Sequence, residues 1–143
     1  MLDPALSVFL FLLQLSGPGS VLPQILHPDF KQPEAIKAGV RVEVTVSFNI
    51  LKGYAINRMP PISLKLGSVG DVVLPKTDFM TSPEDPKSQD EYYVDLPTIK
   101  VPMTVQKKGK YEIPGKLVYF FCSKTDGFCY RQNVDVKIPV TVQ

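Results

Sequence analysis

Residues 40–50 read VRVEVTVSFNI. The even positions Val40, Val42, Val44, Val46, Phe48 and Ile50 are all apolar, and the odd positions Arg41, Glu43, Thr45, Ser47 and Asn49 are all polar. A helix would scatter these two sets around its circumference, whereas a strand puts one set on each face. The stretch is therefore a β-strand with one buried face. The same period of two recurs downstream. Ile62, Leu64 and Leu66 alternate with Ser63 and Lys65, and Asp71 to Leu74 makes a short strand closed by Pro75. Ile99, Val101, Met103 and Val105 alternate again, with Pro102 marking an edge or a bulge. Leu117 to Phe121 is continuously apolar, as in a strand covered on both faces, and Val134 to Val142 alternates without a break.

Six or seven short strands with no helical period predict an all-β, immunoglobulin-like antiparallel β-sandwich. The composition agrees. Fourteen prolines in 143 residues are about twice the usual share, which disfavours a helix bundle. One segment resists a strand assignment: the 21 residues between Pro75 and Pro97, KTDFMTSPEDPKSQDEYYVDL, read as a long loop.

Working toward the N-terminus, Ser20 to Gly39 is proline-rich and reads as a leader able to add a short edge strand to a domain covering residues 40–143. Its only histidine, His27, is flanked by Pro28 and expected at the surface. Before it, residues 5–15, ALSVFLFLLQL, have the length of a signal-peptide core and are too short to span a bilayer. Gly17 and Gly19 supply small residues for cleavage after position 19, although the first residues, MLDP, carry no positive charge. Residues 1–19 are thus expected to be a signal peptide, and the domain to be exported, periplasmic or extracellular. A second apolar run long enough for a membrane span is absent from the sequence.

A net charge of +2 leaves no basic face for nucleic acid, and the run Lys107-Lys108-Gly109-Lys110 reads as a solvated turn between strands. One histidine and scattered carboxylates form no hydrolytic constellation. No metal site and no cofactor are expected, since two cysteines are too few for a thiolate zinc site.

Those two cysteines, Cys122 and Cys129 in CSKTDGFC, carry the chemistry. If they are directly opposed, Ser123 pairs with Phe128 and Lys124-Thr125-Asp126-Gly127 forms the connection, a loop with Asp-Gly at its end. Opposed residues have Cα atoms about 4.5–5.5 Å apart, a separation that a disulfide spans. Parity places the pair. Cys129 shares its face with Arg131, Asn133, Asp135 and Lys137, so without a bulge the disulfide lies on the outer face, with Phe120 and Val118 as cross-strand neighbours. A staple on so short a loop contributes only about 2.5 kcal/mol in the chain-entropy account. An exposed hairpin disulfide is also open to an attacking thiolate. Lys124 and Arg131 would favour the thiolate form, and Asp126 would oppose it.

The segments LKGYAINRMPP, VVLPK and LVYFFCSKTDGFCY, in that order from residue 51 on, resemble the N-terminal (alpha) domain of the thiol:disulfide interchange protein DsbD. The resemblance runs from Val40 to the C-terminus. It implies a periplasmic immunoglobulin-like domain, a monomer, whose cysteine pair relays electrons between thioredoxin-fold donor and acceptor proteins. It makes Cys122 and Cys129 the redox pair, with Cys129 the attacking one. It also implies an aromatic cap over the disulfide, for which Phe79 is the preferred candidate and Tyr92 and Tyr93 the alternatives. Asp78 would polarise the site if its loop folds over it, and Phe120, Phe128 and Tyr130 would contact the partner. Arg131-Gln132 stands where relatives carry Pro-Pro after the second cysteine. The competing class is a non-catalytic binding or adaptor sandwich with a structural disulfide.

Overall fold

The computed structural model describes residues 22–82 and 91–143. The expected signal peptide and the centre of the long loop lie outside the described residues. The described chain is all-β: β1 Leu26–Lys31, β2 Arg41–Ile50, β3 Tyr54–Ile56, β4 Ser63–Leu66, β5 Val72–Val73, β6 Asp78–Met80, β7 Ile99–Val105, β8 Gly109–Ser123 and β9 Cys129–Val142. They form two antiparallel sheets. One has the order β1-β2-β7-β5. In the other, β9 pairs with one edge of the long β8, while β3 and β4 share its opposite edge and β6 extends β4. Among the described residues there is no helix long and apolar enough to cross a membrane.

Strand period makes the core. Val44, Val46 and Phe48 of β2 are buried while Arg41, Glu43 and Asn49 are exposed. Val101 and Met103 of β7 join them, as do Ile113, Leu117, Tyr119 and Phe121 of β8 and Ile138 and Val140 of β9. The core is thus the space between two sheets, each contributing alternate residues. Pro102 falls where β7 has β2 on one side and no strand on the other, because β5 reaches only Thr104 and Val105. Its missing N–H therefore removes no ladder bond on that open side.

Several expectations are corrected. Val40 is half exposed, at 51%, because β2 begins one residue later and Val40 follows the turn at Gly39. The stretch before residue 40 supplies the expected edge strand: β1 pairs with β2 over its whole length, and Ile25, Leu26 and Ile36 are fully buried. His27 lies on that edge strand and is exposed. The segment after Pro75 is not wholly irregular, since it contains β6, which pairs with β4. Leu117 to Phe121 is not covered on both faces, as Val118 and Phe120 remain half-buried on the outer one.

The N-terminal segment is fastened by side chains as well as by its pairing with β2. Tyr119 Oη, fully buried, accepts from Leu26 N–H at 3.0 Å and from Ile25 N–H at 3.2 Å, and itself donates to Gln132 Oε1. Gln132 Oε1 also accepts from Ile25 N–H, and Gln132 Nε2 donates to the Pro23 carbonyl. Further along, Gln32 mimics a peptide group against β9, donating to the Thr141 carbonyl and accepting from Thr141 N–H.

Candidate functional site

The hairpin between β8 and β9 is in one register from Gly109↔Val142 to Cys122↔Cys129, with no bulge. Side chains therefore alternate between the two faces without a slip along its full length. Ser123 N–H donates to the Phe128 carbonyl at 2.8 Å, so 123/128 is a hydrogen-bonded pair and 122/129 the narrow pair beside it. The two cysteines form a disulfide with a Cα–Cα distance of 4.0 Å. The turn is the expected Lys124-Thr125-Asp126-Gly127. Asp126 N–H donates to Ser123 Oγ at 3.1 Å, and Gly127 takes φ +75°, a conformation that other residues rarely adopt.

The disulfide lies on the outer face, yet its two ends differ sharply. Cys129 is exposed on the edge strand, next to Arg131, which follows on the same face about 7 Å along β9. Cys122 is only 4% exposed. Its cover comes from the side of β8 that β3 occupies. Tyr54, Ala55 and Ile56 pair with Ser123, Cys122 and Phe121 respectively. Lys124 N–H donates to the Gly53 carbonyl at 2.9 Å, fastening the hairpin tip to the Gly53 turn, where φ is +95°. Two motifs some 70 residues apart in sequence, GYAIN and the cysteine hairpin, are thus adjacent strands of one sheet.

A further segment lies outside β3. Asn57 forms a bridge with Tyr92, Tyr93 N–H donates to the Ile56 carbonyl at 3.0 Å, and Arg58 N–H donates to the Glu91 carbonyl at 2.7 Å. Residues 91–93 therefore run beside β3 as a fringe strand. Register puts Tyr92, Asn57, Phe120, Ala55 and Cys122 on one face. Tyr93 lies on the other face. Its hydroxyl donates to the Ser82 carbonyl and is 3.0 Å from Thr81 Oγ1, which accepts from Ile62 N–H. The segment also walls a groove of about 640 Å³, lined by Phe48, Tyr54, Tyr92, Val94 and Lys124 among others, beside the hairpin.

Phe79 and Asp78 do not join this cluster. Phe79 is buried on β6, opposite Leu64, which in turn pairs with Leu117. That position is five residues along β8 from Cys122, about 17 Å, and two strands across. The ring is a core residue with the Lys76 ammonium 5.1 Å from its centroid. Asp78 is exposed and pairs with Lys65. Of the three cap candidates, only Tyr92 shares the face and the end of the sheet that hold Cys122.

The three aromatics considered for partner contact divide between the faces. Phe120 is half-buried on the cysteine face, opposite Arg131. Phe128 and Tyr130 lie on the inner face, where they prolong a chain of rings: Tyr54–Phe121 at 5.7 Å, Phe121–Tyr130 at 6.5 Å and Phe128–Tyr130 at 5.2 Å. Phe128 ends that chain beside the turn, and Tyr130 within it is 54% exposed. Asn57 closes the GYAIN motif, and the sequence assigns it no role at the cysteine pair. Its carboxamide Oδ1 lies 3.5 Å from Cys122 Sγ, and only the pairing of β3 with β8 brings the two together. No protein-family model matches this chain, and no curated protein matches it.

Proposed function

We propose that this chain is a thiol–disulfide exchange domain, exported and immunoglobulin-like, similar in role to the alpha domain of DsbD. Its partners are thioredoxin-fold proteins that give and receive electrons through Cys122 and Cys129. The observation that carries the reading is the asymmetry of the disulfide: Cys129 is exposed on an edge strand, while Cys122 on the same face is 4% exposed. Exchange needs one sulfur that a partner can reach and a second that is held ready.

The chemistry is a two-electron transfer. In the dithiol state the Cys129 thiolate attacks a partner disulfide, and the partner's other sulfur leaves as a thiolate. Deprotonated Cys122 then attacks Cys129 Sγ in the mixed disulfide. The Cys122–Cys129 bond re-forms, and the partner departs with both electrons and, after protonation, two thiols. Running the sequence backwards, with a thioredoxin-fold dithiol attacking Cys129, reloads the pair.

A purely structural bridge fits the hairpin less well. The two strands already share fourteen register pairs, Gly109↔Val142 through Cys122↔Cys129. A crosslink at the tip of such a ladder closes a loop that the turn closes anyway. The test is kinetic. A reduced thioredoxin-fold protein is expected to reduce the pair much faster than dithiothreitol at equal thiol concentration, followed by alkylation gel shift. Equal rates would mean that the hairpin offers such proteins no docking surface, contrary to the proposal.

A further inference from the structure

Asn57 is an unusual residue for its position. It lies between two strands, its N–H donating to the Phe120 carbonyl at 2.9 Å and its other side bridged to Tyr92. Asparagine is depleted in such paired, half-buried places, where β-branched and aromatic residues pack better. Its side chain points to the cysteine face, and its polar partner among the described residues is Cys122 Sγ, at 3.5 Å. In the disulfide that sulfur has no proton, so the contact is not a hydrogen bond. Reduction changes this. Each sulfur gains an electron and a proton, and the Cys122 thiol becomes a donor facing a carbonyl-type acceptor at a distance suited to sulfur. Cys122 is 4% exposed, so little water competes for that proton.

Resting on the exchange reading, we propose that Asn57 is a positioning residue of the cysteine pair: its carboxamide oxygen accepts the Cys122 thiol proton in the reduced protein. The bond holds Cys122 as the protonated sulfur, and the exposed Cys129 is the one left to ionise and engage a partner. Charges of both signs surround the pair. Arg131 lies on the face of Cys129, and Lys124 and Asp126 lie in the turn. Arg58 and Glu91 follow on β3's fringe, beyond Asn57. Because the hydrogen bond exists only in the dithiol, it also shifts the pair's equilibrium toward reduction, by about fivefold for a bond of ordinary net strength.

The test reads the bond itself. In Cys129→Ser, Cys122 is the sole thiol, and its S–H stretching band in the infrared is expected at lower wavenumber than that of an unbonded thiol. Adding Asn57→Val, a residue suited to the strand, should return the band to the unbonded position. Adding Asn57→Asp instead, which keeps the shape and strengthens the acceptor, should lower it further. In the two-cysteine protein, Asn57→Val should move the thiol–disulfide equilibrium about fivefold toward the disulfide. A band that does not respond to residue 57 overturns the proposal. Failure of the exchange reading would appear elsewhere, as indifference to thioredoxin-fold dithiols, and would leave the infrared band unchanged.

Discussion

Cys122→Ser is expected to trap a mixed disulfide with a thioredoxin-fold partner, whereas Cys129→Ser is expected to trap little or none. The two variants differ by one sulfur on the same face of the same hairpin, so any asymmetry comes from where each sulfur sits. With Cys122 replaced, Cys129 remains exposed on the edge strand, beside Arg131, whose charge favours the thiolate. It can attack, and no resolving sulfur is left to release the partner. With Cys129 replaced, the remaining thiol is almost wholly covered and sits against Asn57. A difference of an order of magnitude or more in trapped complex, read on non-reducing gels, corresponds to about 1.4 kcal/mol for each tenfold step. Equal trapping by both variants would contradict the assigned roles.

The second large effect is on stability. Tyr119→Phe should cost about 2 kcal/mol, because it leaves Leu26 N–H buried without its acceptor while changing almost no volume. Ile25 N–H retains Gln132 Oε1, so the loss is one orphaned donor rather than two. The denaturation midpoint should fall with little change in the denaturant slope. Tyr119 also predicts a pH dependence. Burial raises its phenol above the ordinary value of 10.0, opposed by the backbone bonds from Leu26 and Ile25. A group whose proton is held more tightly in the folded state contributes stability that is fully present below the unfolded value. That contribution is lost as pH rises above 10 toward the folded value. The wild-type protein should therefore lose stability in that window, and Tyr119→Phe should lose this part of the slope. A variant as stable as the wild type, with the slope intact, would show that the clamp does not hold the N-terminal segment.

The same residues show what local sequence could reveal. Period two in β2, β7 and β9 is a property of neighbouring residues, so one buried face and the strands themselves were legible. The Asp126-Gly127 turn fixed the hairpin register, and parity then gave the face of the disulfide. Phe79 was misplaced because β6 is three residues long and is a strand only through β4, fifteen residues earlier in the chain. Nothing local distinguishes DFM on a sheet from DFM in a loop. Cys122 was expected on an open face, and parity was right about the side. Its cover, however, comes from the side that β3 occupies, with Asn57 against the sulfur, and strand order across a sheet is not written in alternation. The place of Asn57 beside Cys122 is hidden from the sequence for the same reason. Gln132 could be seen only as a departure from Pro-Pro, and its bonds to Ile25 and Pro23 explain what it does here.

On the proposed reading the Cys122–Cys129 bond is made to be exchanged. Its reduction potential, measured by equilibrating the protein with a thiol redox buffer and alkylating the free cysteines, tests this most directly. A value of about −230 mV or higher is expected, within the range of exchange-active pairs. A value below about −300 mV, typical of structural disulfides, would contradict it.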